Sequence, residues 1–189
     1  MSPNLKWLLL LACAAIFVAT PAAASAHHYD HLLPKSGTCK GDRSPVADRD
    51  RRNRAVVCLA NRARKRHGLK RLKTSSTLRA GARQKVNDIV RCETFSHDPC
   101  GQGPTHTYVS TGYGADGAEN LGYGQRTARE AVSSWLHSAG HRAFILETGD
   151  WSGHGHEHVA VWSRRHDGGI VWALAFGRSS TPGATSGPY

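Results

Sequence analysis

The amino-acid sequence predicts an α/β fold in which helices cover both faces of a β-sheet. Apolar residues repeat at helical spacing in three segments, and the period changes to that of β-strands near the end of the chain. In the last strand, residues 170–177, both alternating sets of side chains are apolar. A strand that is apolar on both faces needs cover on both, so helices are expected on each side of the sheet.

The first 26 residues have the layout of a secretory signal peptide. Lys6 precedes an apolar run over residues 7–19, and residues 24–26 form a small-residue A-x-A cleavage site. The run is shorter than the roughly 18 apolar residues that span a bilayer. Residues 11–13 resemble a lipobox, but the apolar run continues past Cys13, which disfavours a lipoprotein. We therefore expect a secreted protein, extracellular or at the cell surface, with no transmembrane anchor after cleavage.

Cleavage leaves 163 residues, the size of one domain, and removal of Lys6 lowers the formal net charge from +11 to +10. This charge favours an anionic extracellular or envelope partner, such as a wall polymer or a phospholipid head group. The densest basic run, residues 62–73, is interpreted as the solvated face and end of a helix. No aromatic residues interleave with that run, which disfavours nucleic acid as the partner.

Four cysteines remain after cleavage: Cys39, Cys58, Cys92 and Cys100. An even number in an oxidising compartment predicts two disulfides. Of the three possible pairings we favour Cys39–Cys58 and Cys92–Cys100, because each joins neighbours along the chain and no thiol is left free. Residues 27–48 are then expected to form an irregular leader that the first disulfide tethers.

Two helices are expected in the first half of the mature chain. The first begins at Asp48, and Gly68 is placed to end it. The second runs from Ser76 to about Val90, with Ser75 or Ser76 capping its exposed backbone N–H groups. The stretch between Cys92 and Arg126 is rich in Gly, Pro, Thr and Tyr, which indicates an ordered loop with one short strand.

A third helix begins at Thr127, where a capping box with Glu130 would satisfy backbone donors reciprocally. Gly140 is expected to break this helix, and residues 142–146 to form a further short turn. Residues 158–163 and 170–177 read as strands joined through an Asp167-Gly168 turn. The last segment, residues 179–189, is expected to be a disordered tail.

Several segments, in order, carry a resemblance to a known family. They are CLANRARKRHGL at 58–69, FSH at 95–97, AENL at 118–121, Trp135 with SAGHRAFIL at 138–146, and WALAFG at 172–177. Together they resemble the bacterial branch of the cysteine-rich secretory protein, antigen 5 and pathogenesis-related superfamily, whose domains are called CAP or SCP domains. The resemblance implies a three-layer α-β-α sandwich of the CAP/SCP type over residues 49–178.

The resemblance also implies a cleft built from two histidines and two acidic residues. His97, Glu119 and His141 match that pattern, whereas the second acidic residue is missing from this sequence. Two neutral imidazoles and one carboxylate are a reasonable first shell for a divalent cation such as zinc. The alternative is that both histidines are structural and that Glu119 orients a loop.

A second histidine cluster lies at His154, His156 and His158. On an extended strand the three side chains would share one face and form a secondary candidate site for zinc, copper or nickel. A solvated strand edge is the simpler interpretation. Glu157 would point to the opposite face and is the local candidate to replace the missing acid.

The sequence therefore predicts a secreted CAP/SCP protein whose cleft binds a divalent metal and an extracellular ligand, such as an envelope polymer or a lipid. The missing acid disfavours catalysis. A secreted metal-dependent hydrolase with Glu119 as general base is the alternative, and a basic structural protein of the cell surface is a third interpretation. The sequence contains neither a G-x-S-x-G elbow nor an H-E-x-x-H helix, and paired cysteines offer no thiol nucleophile.

Overall fold

The structure of the protein is a computed structural model that describes residues 29–178. The expected signal peptide, Cys13 and the expected tail at 179–189 lie outside the described residues. Within residues 29–178, no helix has both the length and the apolar character needed to span a membrane.

Five α-helices and four β-strands make up the described part of the chain. The helices are α1 (Arg49–Arg66), α2 (Ser76–Arg91), α3 (His106–Ser110), α4 (Ala128–His137) and α5 (Ala139–Leu146). The strands are β1 (Lys73–Thr74), β2 (Gly117–Tyr123), β3 (His158–His166) and β4 (Gly169–Gly177). Short 3-10 turns lie at Asp30–Leu32 and Gly149–Trp151.

The ends of α1 and α2 follow the capping residues in the sequence. The side chain of Asp48 accepts a hydrogen bond from the backbone N–H of Arg51 at 2.8 Å, and Ser75 caps α2 in the same way. Helix α1 stops before Gly68, which has a φ of +85° and is therefore in the left-handed region that favours glycine. Both helices were correctly predicted because these signals are local.

The four strands form one sheet in the order β1-β3-β4-β2. Strand β1 is parallel to β3, and the other neighbours are antiparallel. The β3–β4 hairpin turns through Asp167 and Gly168, whose φ angles of 46° and 75° suit a two-residue type I′ turn. The predicted hairpin is confirmed, and its strands extend to the turn on both sides.

Helices cover both faces of the sheet. One apolar cluster joins α1, α4 and α5 to the set of β4 side chains that contains Trp172 and Leu174. The other joins α2 and α3 to the alternate set, which contains Val171 and Ala173. The predicted three-layer α-β-α sandwich is confirmed, and the two apolar faces of β4 are its reason.

The region from residue 92 to residue 146 differs from the sequence expectation in three places. The short helix α3 lies in the stretch that was expected to be loop and strand. The break between α4 and α5 falls at Ser138, whose ψ of 123° is extended, whereas Gly140 lies inside α5. Thr127 caps the N–H of Glu130 as expected, but the Glu130 carboxylate accepts from the N–H of Arg126 at 2.8 Å, one residue before the cap.

Both predicted disulfides are confirmed. Cys39–Cys58 joins the segment before α1 to that helix, and Cys92–Cys100 closes the loop that follows α2. The segment at residues 29–48 is also fixed by a partly buried ion pair between Asp42 and Arg129 at 2.7 Å. The second disulfide holds the loop that carries His97.

Candidate functional site

A buried ion pair between Lys85 of α2 and Glu119 of β2 lies at the centre of the candidate site. The Lys85 Nζ to Glu119 Oε1 distance is 3.1 Å, and the two side chains are 0% and 7% exposed. Lys85 Nζ also donates to the carbonyl oxygens of His97 and Pro104. An ammonium group has three N–H donors, so these three acceptors satisfy Lys85 completely.

The Glu119 carboxylate is held on both oxygens. His97 Nδ1 donates to Oε1 at 2.8 Å, and the Tyr108 hydroxyl donates to Oε2. Burial, and then the charge of Glu119, raises the pKa of Tyr108 well above its usual value, so this phenol stays a donor. A carboxylate with three donors around it is a fixed structural charge, with its negative charge balanced by Lys85.

His141 lies close to this network from the first turn of α5. Its Nδ1 is 2.8 Å from Ser138 Oγ, and its backbone carbonyl accepts from Asn120 Nδ2 at 3.0 Å. Burial, and then the nearby charge of His97, lowers the pKa of His141 and favours the neutral imidazole. The fold thus brings His97 and Glu119 into contact, and it places His141 near enough to His97 for their charges to interact.

A cavity of about 300 Å³ opens beside the Glu119 network. We call it the cleft. Its polar lining includes His97, Glu119 and the hydroxyl groups of two tyrosines, and most of its wall is apolar. The large apolar and aromatic groups of that wall are Leu78, Pro104, Tyr108, Tyr113, Phe144, Trp151 and Phe176. His141 is not among the residues that line it.

Two glycines let the helix α2 and the strand β4 approach the tyrosine side chains of the cleft closely. Gly81 of α2 allows this approach, since a Cβ at Gly81 would lie 2.4 Å from Cδ1 of Tyr108. Gly177 at the end of β4 does the same for Tyr113, whose Cε1 would be 2.4 Å away. On the opposite wall Phe144 and Trp151 meet edge to face, with ring centroids 4.6 Å apart.

The second histidine cluster does not have the shared face that an extended strand would give it. Strand β3 begins only at His158, whose Nδ1 lies 3.1 Å from the Tyr113 hydroxyl. His156 is buried, with its ring 5.8 Å from that of Trp151 and 5.6 Å from that of Phe176. His154 is exposed. The prediction of one face shared by the three histidines is wrong, because Gly155 has a positive φ and turns the chain before β3 begins. The interpretation as a solvated edge is also wrong, because His156 and His158 are buried.

Glu157 does not replace the missing acid in the cleft. Its side chain is exposed and is not part of the cleft lining. Burial of the Tyr113 phenol is the main cause of its raised pKa, and the negative charge of Glu157 is the second cause. The additional carboxylate that does line the cleft is Asp116, which pairs with Arg178 at 3.6 Å.

These residues can bind a metal ion only through lone pairs that are not already used in hydrogen bonds. Within residues 29–178, no group of three or more His, Cys, Asp or Glu side chains is arranged to hold a metal. Glu119 already accepts from Lys85, His97 and Tyr108, which leaves one lone pair, on Oε2. His97 and His141 each engage Nδ1, which leaves the two Nε2 atoms as the candidate donors. A carboxylate that binds the other nitrogen of a ligating histidine is a common supporting arrangement.

The sequence reasoning missed Lys85 and Tyr108. Lys85 had a detectable signal, because it lies at helical spacing on the apolar face of α2, between Ala82 and Ile89. A charged residue at a core position requires a buried partner. Tyr108 had none, since its role depends on the short helix α3.

Comparison with known proteins gives one family. A sequence model of the cysteine-rich secretory protein family (CAP) matches residues 58–160, more than half of the chain. An uncharacterized protein of Bacillus subtilis, YkwD, is 39% identical over 93 residues, which cover 48% of this chain and 36% of YkwD. The match therefore spans about a third of that relative.

Three solved structures are similar in fold. One is an extracellular protein containing an SCP domain from Bacillus anthracis, with 22% identity and a TM-score of 0.58 over 69% of this chain and 41% of that one. An outer surface protein of Borrelia burgdorferi has 18% identity and a TM-score of 0.56 over 66% of this chain and 90% of that one. A cysteine-rich secretory protein of Staphylococcus aureus has 23% identity and a TM-score of 0.53 over 70% of this chain and 40% of that one.

Proposed function

This chain belongs to the cysteine-rich secretory protein family, and we propose that it is an extracellular binding module whose cleft takes up the apolar part of an envelope lipid. The observation that carries the proposal is the mainly apolar wall of the cleft beside a buried ion pair in which Lys85 uses all three of its donors. Two of the similar structures are described as an extracellular and an outer surface protein, which agrees with the signal peptide that the sequence predicts.

The volume of the cleft limits the size of the ligand. Its volume of about 300 Å³ is at the lower end of the range for small-molecule pockets. A single acyl chain is therefore a better fit than a two-chain phospholipid. Aromatic rings from both walls, Tyr113, Phe144 and Trp151, would contact the chain.

The same network disfavours the alternative of a hydrolase. A general base must offer a lone pair to the proton that it removes. Three of the roughly four lone-pair positions of Glu119 already accept from Lys85, His97 and Tyr108, and its side chain is only 7% exposed. The network therefore supports a role in shaping the cleft and holding His97.

The proposal includes a divalent metal at His97 and His141. The two Nε2 atoms would hold it, with Glu119 orienting His97 through Nδ1 instead of acting as a ligand. A metal there would supply a positive charge for the polar head of the ligand. With only two protein ligands, we expect weaker binding than at a closed four-ligand site.

The lipid proposal is tested by titrating a neutral monoacylglycerol below its micelle concentration, with tryptophan fluorescence as the readout. We expect saturable binding that Phe144→Asp reduces by about tenfold or more, because a charge beside the acyl chain must be desolvated. Phe95→Asp is the matched control, since Phe95 is 53% exposed and outside the cleft. Equal loss in both variants, or no saturable binding by the wild type, would contradict the proposal.

The metal proposal is tested separately by calorimetric titration of zinc. We expect binding to be lost in His97→Ala/His141→Ala and retained in His154→Ala, which removes an exposed histidine. Glu119→Gln should weaken binding less than loss of either histidine. Loss of binding only in His154→Ala would place the metal at the second histidine cluster.

A further inference from the structure

A second pocket, separate from the cleft, is lined mainly by arginines. It has a volume of about 350 Å³ and lies between the first half of α1, the middle of α2 and the last part of β3. We call it the arginine pocket. Its lining residues are Arg49, Arg52, Arg83, Asn87, Trp162, Ser163, Arg164 and Arg165. Five of these eight described residues carry a positive charge, and none is acidic.

The positive charges of the arginine pocket are poorly neutralised. Arg49 Nε has an exposed partner, Asp50, at 3.2 Å. The other four arginines form no ion pair with any residue in the described range. Arg164 donates to the amide oxygen of Asn87 at 3.1 Å, and Arg165 donates to the carbonyl oxygen of Pro45, both of which are neutral acceptors.

Arg52 is the buried member of the group. It is 4% exposed and donates to the carbonyl oxygen of Ala47 at 2.6 Å. Its Nε is buried and has no hydrogen-bond partner among the described residues. Burial is the main cause of the lowered pKa of Arg52, and the charge of Arg165 adds to it, while the charge of Asp48 opposes it. A buried guanidinium with an unsatisfied donor and like charges around it is costly unless an anion offsets it.

Trp162 orients two of the exposed arginines. The guanidinium carbon of Arg49 lies 4.2 Å from the Trp162 ring centroid, and that of Arg83 lies 5.4 Å from it. These cation–π contacts hold the two side chains at the pocket without neutralising their charge. The arginine pocket is thus assembled and pre-oriented by β3, α1 and α2.

We infer that the arginine pocket binds phosphate groups. Guanidinium groups match phosphate oxygens in charge and in fork geometry, and several of them converging on one depression favour a multiply charged anion. Trp162 is engaged by Arg49 and Arg83, so recognition rests on charge and hydrogen bonds. The arginine pocket and the cleft share no lining residue, so this inference does not rest on the proposed function of the cleft.

The test is a calorimetric titration of the wild-type chain with tripolyphosphate at constant ionic strength. We expect one site per chain, and an affinity that falls by about tenfold or more in Arg83→Gln/Arg164→Gln, because two charged hydrogen-bonding groups are removed. Arg62→Gln/Arg71→Gln is the matched control, since both residues are exposed and outside the pocket and the change in net charge is the same. The control should lose no more than a few-fold.

A second arm distinguishes the source of the phosphate. Vesicles of phosphatidylcholine with and without phosphatidylglycerol are sedimented with the same three proteins. Loss of phosphatidylglycerol-dependent binding only in Arg83→Gln/Arg164→Gln would identify lipid head groups as occupants of the pocket. Tripolyphosphate binding that depends on the pocket, with vesicle binding unchanged by the substitutions, would identify soluble phosphate chains. Equal affinities of the two double variants for tripolyphosphate would overturn the inference.

Discussion

The cleft and the arginine pocket use buried charge in opposite ways. In the cleft, Lys85 has three acceptors, one of them the carboxylate of Glu119, so its charge is balanced and all its donors are used. In the arginine pocket, Arg52 is almost as buried, but the charged residues that line the pocket with it are all arginines and its Nε has no partner among the described residues. We expect the Lys85–Glu119 pair, whose charges balance, to shape the cleft. The arginines of the second pocket lack balancing negative charge, so we expect them to attract an anion. The comparison therefore predicts opposite responses to mutation and to salt.

The largest expected effect comes from breaking the Lys85–Glu119 pair. Lys85→Met would leave the Glu119 charge buried without its cation, and we expect the free energy of unfolding to fall by about 3–5 kcal/mol. Chemical denaturation at neutral pH measures it. Lys85→Met/Glu119→Gln should recover part of the loss, because the stranded charge is removed. A loss below about 1 kcal/mol in the single variant would show that the ion pair is not central to the site.

A smaller effect is expected from pH, through His156, which packs against Trp151 and Phe176 of the cleft wall. Burial lowers the pKa of His156 to about 4, against the opposing charge of Glu147. Between about pH 6.5 and 4 the unfolded chain therefore binds more protons than the folded one, so stability decreases as the pH falls through this window. We expect this group to cost about 2 kcal/mol between pH 7 and pH 5.

His156→Phe provides the measurement, because it keeps an aromatic ring beside Trp151 and Phe176 and does not titrate. Its free energy of unfolding should change less than that of the wild type over the same pH range. Arg83→Gln/Arg164→Gln should keep the wild-type pH dependence, since guanidinium groups stay charged throughout. Identical pH profiles for His156→Phe and the wild type would refute the assignment.

A comparable or smaller effect is expected from alanine at two helical glycines, one packed against Tyr108 at the cleft and one exposed on α5. Gly81→Ala would push a Cβ to 2.4 Å from the Tyr108 ring, and we expect a loss of about 1–2 kcal/mol from overpacking. Gly140→Ala has no atom within 4 Å of the new Cβ and should be neutral or stabilising, because alanine favours the helix. Thermal unfolding of both variants compares them directly, and equal effects would argue against close packing at Tyr108.

The smallest expected effect is a change in the free energy of unfolding that is zero or slightly positive. Without an anion, Arg83→Gln/Arg164→Gln removes repulsion within the arginine pocket, so we expect unchanged or slightly raised stability, within about 0.5 kcal/mol. Because the repulsion between exposed charges is screened by salt, any gain should disappear at about 1 M sodium chloride. A loss of more than about 1 kcal/mol would show that these arginines stabilise the fold.

The parts of the fold that the sequence predicts are those set by local signals. Asp48 and Ser75 cap α1 and α2 where expected, and the two apolar faces of β4 predict helices on both sides of the sheet. The errors arise where a local signal competes with packing. Gly140 is a weak helix former, yet it is helical because the chain already breaks at Ser138, and Glu130 bonds the N–H of Arg126 instead of that of Thr127.

The site was predictable only in part, and for a related reason. His97, Glu119 and His141 come from family motifs, but the partner that fixes Glu119 is Lys85, 34 residues earlier in the chain. That pairing depends on how α2 lies against β2, which no local pattern specifies. The arginine pocket is assembled from three elements, so its charges are scattered in the sequence. The densest basic run, residues 62–73, contributes no residue to the arginine pocket. The interpretation of that run as solvated is wrong for Arg64, which is buried in an ion pair with Glu147 at 2.8 Å.

The most direct test of the division between the two sites uses the tryptophan that each contains. Trp151 lines the cleft and Trp162 lines the arginine pocket, so their indole N–H signals can be followed by NMR in ¹⁵N-labelled protein. Two further indoles, of Trp135 and Trp172, donate to backbone carbonyl oxygens within the fold and serve as internal references.

Tripolyphosphate and a neutral monoacylglycerol are titrated into the protein in turn. We expect tripolyphosphate to shift the Trp162 signal and leave that of Trp151 in place, and the monoacylglycerol to do the reverse. The two ligands should also bind together without competition, because the two sites share no lining residue. If both ligands shift the same indole signal, or if either displaces the other, the cleft and the arginine pocket are not two independent sites and the account is wrong.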